Sequence, residues 1–227
     1  MPVGIPKIPF KNPGEDAPIW VDVFSRLYKD RYLFVLKELD QELANLLIGL
    51  LTFYSLNEED TRDFIMIISS PGGLVMPAFA IYDMMRSVKP HIQTYGVAGV
   101  ASTASFLLVG GRKGKRAALP HARITLHQPS FAMSADKTKQ CYMWEIQQNL
   151  ELMADLRDTM EGIYAEKTGH SIEDINLVME RDQFFSGIEA KEYGLVDHVP
   201  PDLQDENEKK KENPFLRKED RYRQNNF

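Results

Sequence analysis

Phe64-Ile65-Met66-Ile67-Ile68 runs directly into Ser69-Ser70-Pro71-Gly72-Gly73. The first five residues are a continuous apolar run of strand length, as expected of a strand buried on both faces. The next five are a turn signal, and a helical pattern follows through Ala80 and Met84. The unit then repeats downstream. Ile92 to Val97 is a strand, Gly99 to Ser105 a tight bend of small residues, and Phe106 to Val109 a short helix. Arg123 to Leu126 is a further short strand that ends at His127-Gln128-Pro129. Upstream, Tyr32 to Leu36 reads as a strand. Asp40 is placed to cap a helix whose Leu43, Leu46, Leu47, Leu50, Leu51 and Tyr54 form one apolar stripe. Strands alternating with helices predict an α/β fold built on parallel strands.

The flanks are of other kinds. Residues 1–18 are rich in proline and glycine and read as an irregular arm. Lys137 to Lys167 reads as one long helix of about 45 Å, more than a small domain can cover, so it should project or pack on another subunit. Ser171 begins another helix, and Ser186-Gly187-Ile188-Glu189 is a capping box. From 201 to 227 the chain is nearly all polar and charged and reads as a disordered tail. The body of the protein is therefore expected over residues 19–200.

Bulk properties narrow the function. Of 227 residues, 43% are hydrophobic, enough for one substantial core. A net charge of −6 speaks against a nucleic-acid binder. A single cysteine, Cys141, excludes an intrachain disulfide. No apolar run reaches the roughly 20 residues of a membrane span, and the opening residues lack the pattern of a secretory or transit peptide. No cluster has metal-ligand spacing, and Gly-Arg-Lys-Gly-Lys-Arg at 111–116 lacks the glycine and hydroxyl spacing of a phosphate loop, so no cofactor is expected.

The chemistry lies at the strand ends. Amide hydrolysis needs an activated nucleophile, a base of near-neutral pKa, a group that orients the base, and donors for the oxyanion. Ser102 sits in a strand-to-helix bend, where helix N-terminal N–H groups face a developing negative charge. His127 closes a strand. Asp182, in Met179-Glu180-Arg181-Asp182, is read at a helix end. Gly72 and Gly73 offer backbone N–H groups with no side chain in the way. Each alone has an ordinary reading: a helix cap, a core histidine, a solvated acid, a turn. Their order discriminates further. Serine, histidine, aspartate, without Gly-x-Ser-x-Gly, is not the arrangement of an α/β-hydrolase.

Several motifs in one register carry a more specific signal. Ser69 to Gly73, Ile81-Tyr82-Asp83, Ala101 to Phe106, His127-Gln128-Pro129, Thr168-Gly169, Glu180-Arg181-Asp182 and Glu192 to Asp197 together resemble the ClpP family of caseinolytic serine proteases. The opening Met1 to Phe10 is similar to the plastid-encoded form of algae and plants. The resemblance implies a crotonase-like fold of repeated ββα units with a projecting handle helix. It implies a Ser102–His127–Asp182 triad, with the backbone N–H groups of Gly73 and Thr103 as oxyanion donors. It also implies two stacked seven-membered rings, hetero-oligomeric with other Clp proteolytic subunits. A Clp-type AAA+ ATPase unfoldase feeds them unfolded polypeptides, and the expected location is the plastid stroma.

The departures from the family are local. Thr103 stands where methionine is usual, Ser69 where asparagine is, and Ser87 where an aromatic lines the unfoldase-docking pocket. Ser130 to Ser134 replaces a glycine-rich strand. Two other readings stand beside this one: a catalytically weak or structural ring subunit, which the altered handle keeps open, and a crotonase-type acyl-CoA enzyme, since the implied fold class is shared.

Overall fold

The computed structural model describes residues 4–11, 18–56, 61–130 and 142–200. Lys7–Phe10 (β1) pairs antiparallel with Ile19–Asp22 (β2). The expectation of an irregular arm over 1–18 is therefore corrected: Lys7-Ile8-Pro9-Phe10 finds a partner in Ile19 to Asp22, a pairing that a proline-rich composition does not announce. The tail 201–227 and the segment 131–141, which includes Cys141 and the start of the expected long helix, lie outside the described residues.

A six-stranded sheet forms the centre. Tyr32–Val35 (β3), Phe64–Ser70 (β4), Ile92–Ala101 (β5) and Arg123–Leu126 (β7) pair in parallel, in that order. Arg116–Ala118 (β6) pairs with the first half of β5, and Gln183–Ser186 (β8) closes the sheet antiparallel to β7. β5 changes partner along its length. Thr94 to Gly96 meet β6, and Gly99 to Ala101 meet β7. The handover falls at Ala98, whose φ is +54°, and the β4–β5 register shifts there between Ile68 and Ser70. The bend carries the end of β5 away from β6 and toward β7.

Helices cover one face. They are Gln41–Ser55 (α2), Val75–Ser87 (α3) and Thr103–Gly110 (α4), the last hydrophobic all round and buried. Asp40 caps α2 by accepting the N–H of Leu43 at 2.7 Å. Leu43, Leu47 and Leu51 of α2 pack with Phe64, Met66, Ile68, Ile81, Tyr82 and Phe106. β4 is fully buried only on this face. Ile65, Ile67 and Ser69 alternate to a half-exposed second face, so the expectation of burial on both faces holds for one. Val23–Lys29 (α1) covers part of that second face, with Phe24 edge-on to Phe34 at 5.2 Å.

The long helix is Met143–Thr168 (α5), 26 residues and about 39 Å. Only Met160, Glu161 and Tyr164 are buried, all in its last third. Tyr142, Met143, Trp144, Leu150 and Leu152 are exposed. The helix thus projects from the body. Gly169, at φ +88°, ends it. Ile172–Met179 (α6) leads toward β8, and Gly187–Glu192 (α7) begins with the expected Ser186–Glu189 capping box. Among the described residues no helix is long and apolar enough to cross a membrane.

Candidate active site

The candidate residues meet at one end of the sheet, where parallel strands deliver their carboxyl ends. The register sets their relation. Ala101 pairs with Thr125, and Leu126 pairs with Gln183. One step further along these ladders stand Ser102, His127 and Asp182. The N–H of Ser102 donates to the carbonyl of Thr125 at 3.0 Å, which fixes the serine beside the strand that ends in the histidine. Asp182 does not end a helix, as its sequence context suggested. α6 stops at Met179, and Asp182 immediately precedes β8.

Ser102 has φ +57° and ψ −129°, between a strand and a helix. A non-glycine residue in such a conformation costs on the order of 1–3 kcal/mol and needs its surroundings to hold it. They do so closely. The Ser102 carbonyl accepts the N–H groups of Ser105 and Phe106 at 3.0 and 3.3 Å and the Ser105 hydroxyl at 2.6 Å. On the other side lies Gly72. A β-carbon there would stand 2.6 Å from Cβ of Ser102, so only glycine admits this approach. Ser70 fixes the glycine turn: its hydroxyl donates to the Lys37 carbonyl at 2.7 Å and accepts the Gly72 N–H at 3.1 Å.

Gly73 forms a bridge with Leu39 that uses the Leu39 N–H, the Gly72 carbonyl and the Leu74 N–H. The N–H of Gly73 lies outside that bridge. The N–H of Thr103 opens α4 and has no intrahelical acceptor. The Thr103 hydroxyl donates to the Gly73 carbonyl at 3.4 Å, linking the two segments. Neither N–H group is taken up by the hydrogen bonds that hold these two segments together.

The histidine is less fully engaged. Nδ1 of His127 lies 2.7 Å from the Gln128 carbonyl. A carbonyl can only accept, so Nδ1 is the donor in this contact. Among the described residues no hydrogen bond joins His127 to Ser102 or to Asp182, and Asp182 is exposed. The structure brings the three residues to neighbouring positions, with Nδ1 of His127 engaged by the Gln128 carbonyl rather than by Asp182. Among the described residues no group of three or more His, Cys, Asp or Glu side chains could hold a metal.

A family model described as Clp protease matches residues 14–202. The chain belongs to the Clp protease family. An ATP-dependent Clp protease proteolytic subunit from Buxus microphylla is 45% identical over 199 residues, covering 88% of this chain and 96% of that one. The subunits of the same name from Morus indica and Nicotiana tabacum are 45% and 44% identical over the same length and are each 98% covered. The α/β body with its projecting α5 is the fold of this Clp protease, and its reaction is that of a serine endopeptidase.

Sequence reasoning found the strand ends but not what braces them. Ser70, Ser105 and Gln128 hydrogen-bond the segments that carry the candidate residues, and Tyr164 bonds the Ser105 hydroxyl. Only the small-residue bend around Ser105 and the proximity of Gln128 to His127 offered any sign of it.

Proposed function

We propose that Ser102 is the nucleophile of this Clp protease subunit, His127 its general base and Asp182 the residue that orients the base, with the N–H groups of Gly73 and Thr103 receiving the oxyanion. The observation that carries this reading is the backbone of Ser102, held at φ +57° between β5 and a helix N-terminus with Gly72 against it. The hydroxyl attacks the scissile carbonyl while Nε2 of His127 takes its proton, then returns it to the leaving amine. Turning the His127 ring from the Gln128 carbonyl toward Asp182 completes the triad.

The chain works as one subunit of an ATP-dependent Clp protease. It assembles with other Clp proteolytic subunits into two stacked seven-membered rings of mixed composition, and a separate AAA+ unfoldase delivers unfolded polypeptide. The exposed apolar residues of α5 support assembly. The Met1 to Phe10 opening and relatives from plants support a place in the plastid stroma.

Labelling with a fluorophosphonate probe tests the chemistry. Ser102→Ala is expected to abolish labelling and peptidase activity while the ring still forms. His127→Ala is expected to be comparably damaging, because the two act as a unit. Full activity in Ser102→Ala would overturn the assignment.

A further inference from the structure

Arg157, Glu161 and Tyr164 stand at i, i+4 and i+7 on α5 and so share one face. Each reaches a different segment that bears a candidate triad residue.

Tyr164 is 1% exposed, and its hydroxyl lies 3.0 Å from that of Ser105. Ser105 has one hydroxyl proton, and the Ser102 carbonyl, which can only accept, takes it at 2.6 Å. Tyr164 must therefore be the donor to Ser105. Burial pushes the phenol well above its usual pKa range, so it keeps that proton. The chain of donation runs from α5 through Ser105 to the backbone of Ser102.

Glu161 is 2% exposed. Its carboxylate accepts Nε of Arg157 at 2.6 Å and Nδ2 of Asn176, on α6, at 3.1 and 3.2 Å. Nη1 of Arg157 donates to Oε1 of Gln128 at 2.7 Å. Gln128 in turn donates its N–H to Met179 at 2.7 Å and its side-chain amide to the Glu180 carbonyl at 3.2 Å, and its own carbonyl holds His127. One buried carboxylate thus ties α5 to the residue after His127 and to the helix that leads into Asp182.

We infer that this face of α5 is the common positioning scaffold of the active site, with Tyr164 setting the Ser102 bend and the Glu161–Arg157 pair setting the His127 and Asp182 segments. The inference rests on the triad assignment above. None of the three side chains touches the reacting atoms; they act through Ser105, Gln128 and Asn176. Reaction rates are sensitive to such placement, since a 1 Å displacement can cost about a hundredfold.

The test uses the assembled protease carrying Tyr164→Phe, Glu161→Gln or, as a control on an exposed position of the same helix, Glu166→Gln. The rate of fluorophosphonate acylation and the kcat and KM for a short fluorogenic peptide are measured with the thermal midpoint. Tyr164→Phe keeps the ring and its packing. It is expected to lower acylation and kcat about fivefold, the size of one neutral hydrogen bond, with KM within twofold. Glu161→Gln is expected to lose more, and Glu166→Gln nothing.

A Tyr164→Phe enzyme with wild-type acylation and kcat and only a lower thermal midpoint would overturn the inference; this variant decides even if Glu161→Gln fails to assemble. Ser102→Ala separates the two levels. If it is inactive while Tyr164→Phe is unimpaired, the positioning role alone fails. If Ser102→Ala is active, both fail.

Discussion

The guanidinium of Arg116 and the carboxylate of Asp197 meet through two hydrogen bonds, Nη2 to Oδ1 at 2.7 Å and Nε to Oδ2 at 3.0 Å. The side chains are 2% and 15% exposed. Oδ2 also accepts the backbone N–H groups of Gly114 and Arg116, and Nη1 reaches the Lys167 carbonyl at the end of α5. This pair pins β6, the last turn of the long helix and the chain after α7 to one another.

Asp197→Ala is expected to destabilise the subunit by about 3–5 kcal/mol, because it leaves a buried guanidinium unpaired. Replacing both residues with leucine should cost much less. Burial alone would raise the Asp197 carboxyl, but the hydrogen bonds and charge of Arg116, with the Gly114 N–H, outweigh it and hold the pKa below the usual value. The stabilisation is therefore complete above about pH 4, the value in an unfolded chain, and is lost as pH falls through the lower folded value. Chemical denaturation of single and double variants between pH 2 and 7 checks this. Equal losses in both would refute it.

Gly72→Ala is expected to cut kcat/KM by about a hundredfold or more. The new β-carbon would lie 2.6 Å from Cβ of Ser102 and 2.8 Å from the Ala101 carbonyl oxygen, so Ser102, the proposed nucleophile, must move. Gly114→Ala is the comparison. Its φ is +85°, but nothing lies within 4 Å, so it should lose roughly 1–2 kcal/mol of stability and keep its activity. Peptide kinetics on both, read beside their melting curves, separate displacement of the site from general strain.

Thr52, Ser55, Leu56, Met84, Ser87, Val88 and Lys89 line a cavity of about 390 Å³ between the ends of α2 and α3. The sequence resemblance implies, as an expectation, that an unfoldase's docking loops enter a pocket that includes Ser87. The Ser87 hydroxyl already donates its proton to the Asp83 carbonyl at 2.7 Å, so toward a loop it can act only as an acceptor. Ser87→Phe should add about 1–3 kcal/mol of apolar contact and tighten unfoldase binding to rings made only of this chain by tenfold or more. Light scattering with the cognate unfoldase and ATP measures it. Unchanged binding would show the substitution to be neutral.

Truncation after Pro201 should leave the thermal midpoint of the body nearly unchanged, since the removed residues are almost all polar or charged. A calorimetric drop of several degrees, or aggregation of the shortened chain, would show that residues 202–227 pack on the body.

Local signals were well expressed in the sequence where one residue decides the outcome. Asp40, Ser171 and Ser186 each cap the helix expected of them. Periodicity said less about what covers a helix. In the α2 stripe, Leu43, Leu47 and Leu51 are buried but Leu46 is 46% exposed, because an apolar side chain does not reveal whether it faces its own core or another surface. β6 was hidden for a different reason. Arg116 reads as part of a basic loop, and it enters the sheet because a carboxylate 81 residues away neutralises it. Candidate triad residues could be proposed from motifs, yet neither the positive φ of Ser102 nor the route from Tyr164 to it leaves a trace in spacing. Both are products of packing between distant segments.

The position of α5 outside the body has an optical consequence. The chain has two tryptophans, Trp20 on β2 and Trp144 near the start of α5, and they are 66% and 57% exposed. Neither indole belongs to the core. The emission of an unassembled subunit should therefore lie close to that of the unfolded chain and barely respond to heating, whereas association that covers these elements should move it to shorter wavelength. Intrinsic fluorescence should then follow any association that covers these two indoles and be nearly blind to the fold of a single subunit.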